Sequence, residues 1–144
     1  MRNILITFII LAFPGSVFSD SSNFLIGKWV SDKEATIEYN EGKVKWTEDQ
    51  RKFFENNLGK LRLNFTEGTV QLYFEEDLGK SKYEIIKRGP SYLVIRTETS
   101  KEEREFFGNE NPYRDIKYYI EGERIYTEPN SSKLLLREYF RKAK

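Results

Sequence analysis

Leu61-Arg62-Leu63-Asn64-Phe65, then Thr66-Glu67-Gly68, then Thr69-Val70-Gln71-Leu72-Tyr73-Phe74 is the stretch that decides the fold. Leu61, Leu63 and Phe65 alternate with Arg62 and Asn64. After the turn, Val70, Leu72 and Phe74 alternate with Gln71 and Tyr73. A period of two places alternate side chains on opposite faces of a strand. Each strand therefore has one apolar and one polar face, the pattern of an antiparallel sheet solvated on one side.

Similar punctuation continues downstream. Asp77-Leu78-Gly79-Lys80 breaks the run, Lys82 to Lys87 predicts another strand, and Lys87-Arg88-Gly89-Pro90 turns into a strand over Tyr92 to Thr97. Residues 99–112 read as a long loop with at most one helical turn. Strands follow over Asp115 to Ile120 and Arg124 to Thr127, separated by Glu121-Gly122-Glu123. Pro129-Asn130-Ser131-Ser132 predicts a last turn, and Lys133 to Arg141 a final strand.

Upstream, Thr47-Glu48-Asp49-Gln50 fits a capping box, in which the Thr hydroxyl and the Gln side chain each serve an amide of the other residue. Phe54 and Leu58 share a face and Gly59 is a natural stop, so one amphipathic helix is predicted over 48–58. Before it, Ala35, Ile37 and Tyr39 alternate with polar residues and predict a strand over Glu34 to Tyr39. Leu25 to Ser31 predicts the first strand. Turns every eight to twelve residues among short strands suggest a sandwich or barrel. Up-and-down order favours closure, which removes sticky edges. The expected fold is mainly β: a single antiparallel up-and-down barrel or half-barrel of about eight strands with one inserted helix.

The first residues differ in kind. Met1-Arg2-Asn3 is basic, Ile4 to Phe13 is apolar, and Val17-Phe18-Ser19 ends in a small-x-small pattern. Together they predict a signal peptide over 1–19, with the folded unit over 20–144 and a periplasmic or secreted destination. The apolar run is too short to span a bilayer, which takes about twenty residues. No later stretch is apolar enough to do so.

Composition excludes several chemistries. The chain has no Cys and no His. Thiolate nucleophiles, disulfides, Ser-His-Asp triads and His-based metal sites are therefore impossible. Twenty-four basic residues face 23 acidic ones, a balance that argues against a nucleic-acid partner. Glu75-Glu76-Asp77 lacks the ligand spacing of a calcium loop; it and Glu102-Glu103 read as solvated charges. No enzyme activity, metal or cofactor is expected.

Gly27-x-Trp29 in a first strand behind a secretion signal resembles the lipocalin and wider calycin group. In that family the strand-A tryptophan lies across one end of the barrel, and a basic residue of the last strand packs over its ring. The resemblance implies that role for Arg137, with Arg141 second. The chain departs from the family in lacking the Thr-Asp-Tyr loop motif, of which Tyr113-Arg114-Asp115 is an echo. It also carries its helix early.

The function the resemblance implies is the holding of a small apolar ligand inside the barrel. The lining expected for it is Tyr39, Phe54, Phe65, Leu72, Phe74, Tyr83 and Tyr118, within an interior that also draws on Ile37, Ile85, Leu93, Ile95, Ile116 and Ile120. An interior filled by its own side chains is the alternative. The helix either caps one barrel end, with Phe53, Phe54 and Leu58 inward, or docks outside. A second functional reading is a protein-interaction module, of inhibitor or immunity type, acting through Phe106 and Phe107 in the loop 100–112.

Overall fold

Eight antiparallel strands close on themselves, each paired with its neighbours in chain order and the last with the first. The computed structural model describes residues 23–129 and 134–144. The leader over 1–19 and the predicted turn residues Asn130, Ser131 and Ser132 lie outside the described residues. The strands are β1 (Gly27–Ser31), β2 (Leu61–Phe65), β3 (Thr69–Phe74), β4 (Glu76–Arg88), β5 (Tyr92–Glu98), β6 (Tyr113–Glu121), β7 (Arg124–Thr127) and β8 (Glu138–Lys142). Three helices accompany them: α1 (Lys33–Asn40), α2 (Glu48–Asn57) and α3 (Lys101–Phe107). Among the described residues no helix is long and apolar enough to cross a membrane.

The hairpin at 61–74 forms with Leu63 opposite Leu72 and Phe65 opposite Val70. Its apolar face turns into the barrel. Leu63, Phe65, Val70 and Leu72 join Trp29, Leu78, Tyr83, Leu93, Ile95, Tyr118, Ile125 and Phe140 in one buried cluster. Burial of this many apolar side chains is what holds a chain without disulfides together.

The two barrel ends differ. At one, the turn end, tight hairpins join β2 to β3, β4 to β5 and β6 to β7. Residues 23–26 plug this end: Leu25 is fully buried and its carbonyl accepts from Trp29 Nε1 at 2.7 Å. At the other, the helix end, β1 leads into α1 and α2, and β5 leads into α3.

Several expectations are corrected. Glu34 to Tyr39 is not a strand but part of α1. Asp32 caps it by accepting from Ala35 N at 3.1 Å, and the helix buries Thr36 and Asn40. Asn40 holds Leu136 N and the Arg137 carbonyl, while Thr36 Oγ1 accepts from Tyr139 N. Its inner face is thus polar and hydrogen-bonded, so the apolar alternation misleads. The predicted break at 77–80 is instead the opening of β4, and Leu78 there is fully buried in the core. The predicted loop at 100–112 contains α3, with Ser100 accepting from Glu103 N at 3.0 Å and Gly108 ending the helix in the left-handed region. The final strand is shorter than expected.

The helix predicted over 48–58 is present as α2, with both halves of the capping box formed. It does not cap the barrel from within. Phe54 packs on Trp46, ring centroids 5.1 Å apart, whereas Phe53 is 61% exposed.

Candidate functional site

The register places Glu138, Phe140 and Lys142 of β8 on the inner face, opposite Thr127, Ile125 and Trp29. This corrects the partner assigned to Trp29. Lys142 Nζ lies 4.1 Å from the indole centroid and donates to the Ile26 carbonyl at 2.8 Å. Arg137 stands five residues earlier, about 17 Å along an extended chain, and on the outer face. There its guanidinium is clamped between Tyr39 at 4.4 Å and Tyr126 at 4.2 Å. Gly27 makes the lysine's path. Its φ is +132°, and a Cβ there would come within 2.5 Å of Lys142 Nζ.

The turn end is therefore sealed by structure. Tyr83 adds to the seal, donating to the Thr66 carbonyl at 2.6 Å and accepting from Asn23 Nδ2 at 2.9 Å. Phe65 stands edge-on to both Tyr83 and Tyr118. Of the seven residues expected to line a ligand, Phe65, Leu72, Tyr83 and Tyr118 share this core. Phe74 packs at its helix end, beside Phe106 at 5.4 Å. Tyr39 and Phe54 sit on α1 and α2, outside the barrel. With α1 a helix, Ile37 also leaves the interior.

Polar groups collect toward the helix end, where sequence reasoning expected none. Arg114 pairs across β5 with Thr97, which is buried in the barrel interior, and meets Glu103 of α3 at 2.7 Å. Glu103 is 3% exposed, so the reading of Glu102-Glu103 as solvated holds for neither the position nor the partner of Glu103. The Arg114 Nε is buried with no hydrogen-bond partner among the described residues. Tyr118 lies deep between these groups. Burial pushes its phenol up, and the charges of Arg114, Glu138 and Glu103 all act on it.

Glu138 completes the set. Desolvation pushes its carboxyl up to about 7, against which a long 3.5 Å contact from Ser31 Oγ works only weakly. Arg114 Nε thus keeps unused hydrogen-bonding capacity in a largely apolar interior, with Tyr118 and Glu138 close enough for their charges and dipoles to act on one another. Leu61, Phe74 and Ile116, only partly buried, provide apolar surface at the same end. The arrangement can hold a small molecule with one polar group pointing inward. It presents no nucleophile activated by a base.

No sequence signal marks Glu103, Arg114 or Glu138, because a charged residue facing into a barrel reads like one facing water. Phe106 and Phe107 lie on α3, 44% and 50% exposed. No family model, no curated protein and no solved structure matches the chain.

Proposed function

We propose that the chain is an exported, non-catalytic, lipocalin-like binding protein that takes a small, largely apolar ligand at the helix end of its barrel. The closed eight-stranded up-and-down order and a basic residue of the last strand over Trp29 support the family reading. The observation that carries the function is the buried Arg114 Nε, without a hydrogen-bond partner among the described residues, beside the inward Tyr118 and Glu138. A ligand with a hydroxyl, amide or protonated carboxyl head would satisfy that Nε. Its apolar body would lie along Leu61, Phe74 and Ile116.

Titration with fatty acids, fatty alcohols and fatty amides, followed by calorimetry, tests this. Saturable one-site binding is expected, weakened about tenfold by Tyr118→Phe, the loss of one buried hydrogen bond. Phe53→Ala, on the solvent side of α2, should leave it unchanged. Absence of saturable binding across the panel would overturn the reading.

The exposed Phe106 and Phe107 favour a second reading, a protein-interaction module using α3. Affinity capture from an extract with wild type and with Phe106→Ala/Phe107→Ala separates the two. Identical capture profiles would count against this second reading.

A further inference from the structure

A concavity of about 900 Å³ lies on the outer face of β8, β1, β2 and β3, away from the barrel interior. Lys28, Lys60, Arg62, Arg141 and Lys144 line it, with Glu75 as its one acidic side chain. The chain as a whole carries only +1, so this trough concentrates positive charge far beyond the average. Glu75 is already engaged, 2.6 Å from Lys60 Nζ at the rim. Elsewhere Arg51, Arg96, Arg114 and Arg124 each stand within 3.2 Å of a carboxylate. Lys28, Arg62, Arg141 and Lys144 have no such partner among the described residues.

The geometry points to an anionic lipid surface as the partner of this trough. Arg141, Val30 and Arg62 are successive register partners across β8, β1 and β2. The two arginines are therefore about 10 Å apart, two strand spacings. With Lys28 and Lys144 they make four cations spread over three strands, more than one phosphate neutralises, so their complement is an array of anions. Guanidinium groups meet phosphate oxygens bidentately, and free cations near a charged bilayer each add to the attraction. The rim also suits a headgroup layer. Ile26, two residues before Lys28 in the chain, is 47% exposed. A headgroup layer accepts such a side chain, whereas a phosphate polymer leaves it in water.

Co-sedimentation of the protein with phosphatidylcholine vesicles, with and without phosphatidylglycerol, tests the inference. Binding is expected only with phosphatidylglycerol and is expected to vanish at high salt. Arg62→Gln and Arg141→Gln should each weaken it about fivefold. Lys82→Gln/Lys87→Gln, which removes two exposed cations away from the trough, should not. Lys28→Gln/Lys144→Gln gives a second pair at exposed sites, and thermal melts check that every variant is folded. Equal loss in the Lys82/Lys87 variant would overturn the site. Competition by glycerol phosphate at matched phosphate concentration would overturn the array, and equal binding to a DNA oligonucleotide would overturn the lipid.

Discussion

Lys142 lies across the face of Trp29, its Nζ 4.1 Å from the indole centroid, and reaches past Gly27 to the Ile26 carbonyl. First and last strands are locked together at this point. Trp29→Ala removes the large ring that seals the turn end, and should lower stability by about 3–5 kcal/mol. Lys142→Ala should cost about 1 kcal/mol, the size of a cation–π contact. Gly27→Ala carries both backbone strain and a collision with the lysine. A double variant Gly27→Ala/Lys142→Ala should therefore cost less than the sum of its parts. Urea unfolding of the four proteins measures this coupling.

Glu138 gives stability a pH dependence opposite to that of a salt-bridged carboxylate. Its folded-state pKa, about 7, lies above the ordinary 4.5, so the folded protein holds the proton more tightly than the unfolded chain. The contribution is fully present below the ordinary value and is lost as pH rises through about 7. Its size is roughly 3 kcal/mol. The groups facing this carboxyl are Ser31 and the Tyr118 phenol, both uncharged over that range. Denaturant midpoints between about pH 5 and pH 8 should fall for wild type. They should be flatter for Glu138→Gln.

Asn40 ties α1 to the approach to β8. Its Oδ1 accepts from Leu136 N at 2.6 Å, and its Nδ2 donates to the Arg137 carbonyl at 2.7 Å. Asn40→Ala leaves both backbone groups unsatisfied and should cost about 2–3 kcal/mol. Amide exchange at Leu136 should rise with the loss of stability.

The Arg114–Glu103 pair should respond unequally to the loss of each partner. Glu103 is buried, whereas the Arg114 side chain is 38% exposed. Arg114→Ala strands a buried carboxylate and should cost about 3 kcal/mol or more. Glu103→Gln leaves a cation that can turn to water and should cost less. Melting both variants against wild type settles the order.

What the sequence reveals depends on where each element finds its partners. The hairpin at 61–74 and the capping box of α2 are legible because their signals sit within a few residues of one another. α1 is not, since Thr36 and Asn40 are buried against backbone groups about a hundred residues away. Leu78 lies between Asp77 and Gly79, and its core position follows from a strand that bends rather than stops. Register, which the sequence leaves open, decides between Arg137 and Lys142 as the partner of Trp29. The inward charges are illegible for the reason that makes them interesting. Alternation marks which face a residue takes, but Glu138 and Arg114 put charge on the face that the pattern reserves for apolar side chains.

The pairing of β8 with β1 also imposes an order in time. Every other pairing joins strands that are consecutive in the chain, so each can form as the later strand emerges. β1 has only β2 until residues 138–142 arrive, more than a hundred positions later. Such a distant closure is slow by its loop entropy. A chain being threaded across a membrane from its N-terminus would thus stay an open, unfinished sheet until β8 had crossed. The last stave would decide when the protein is folded.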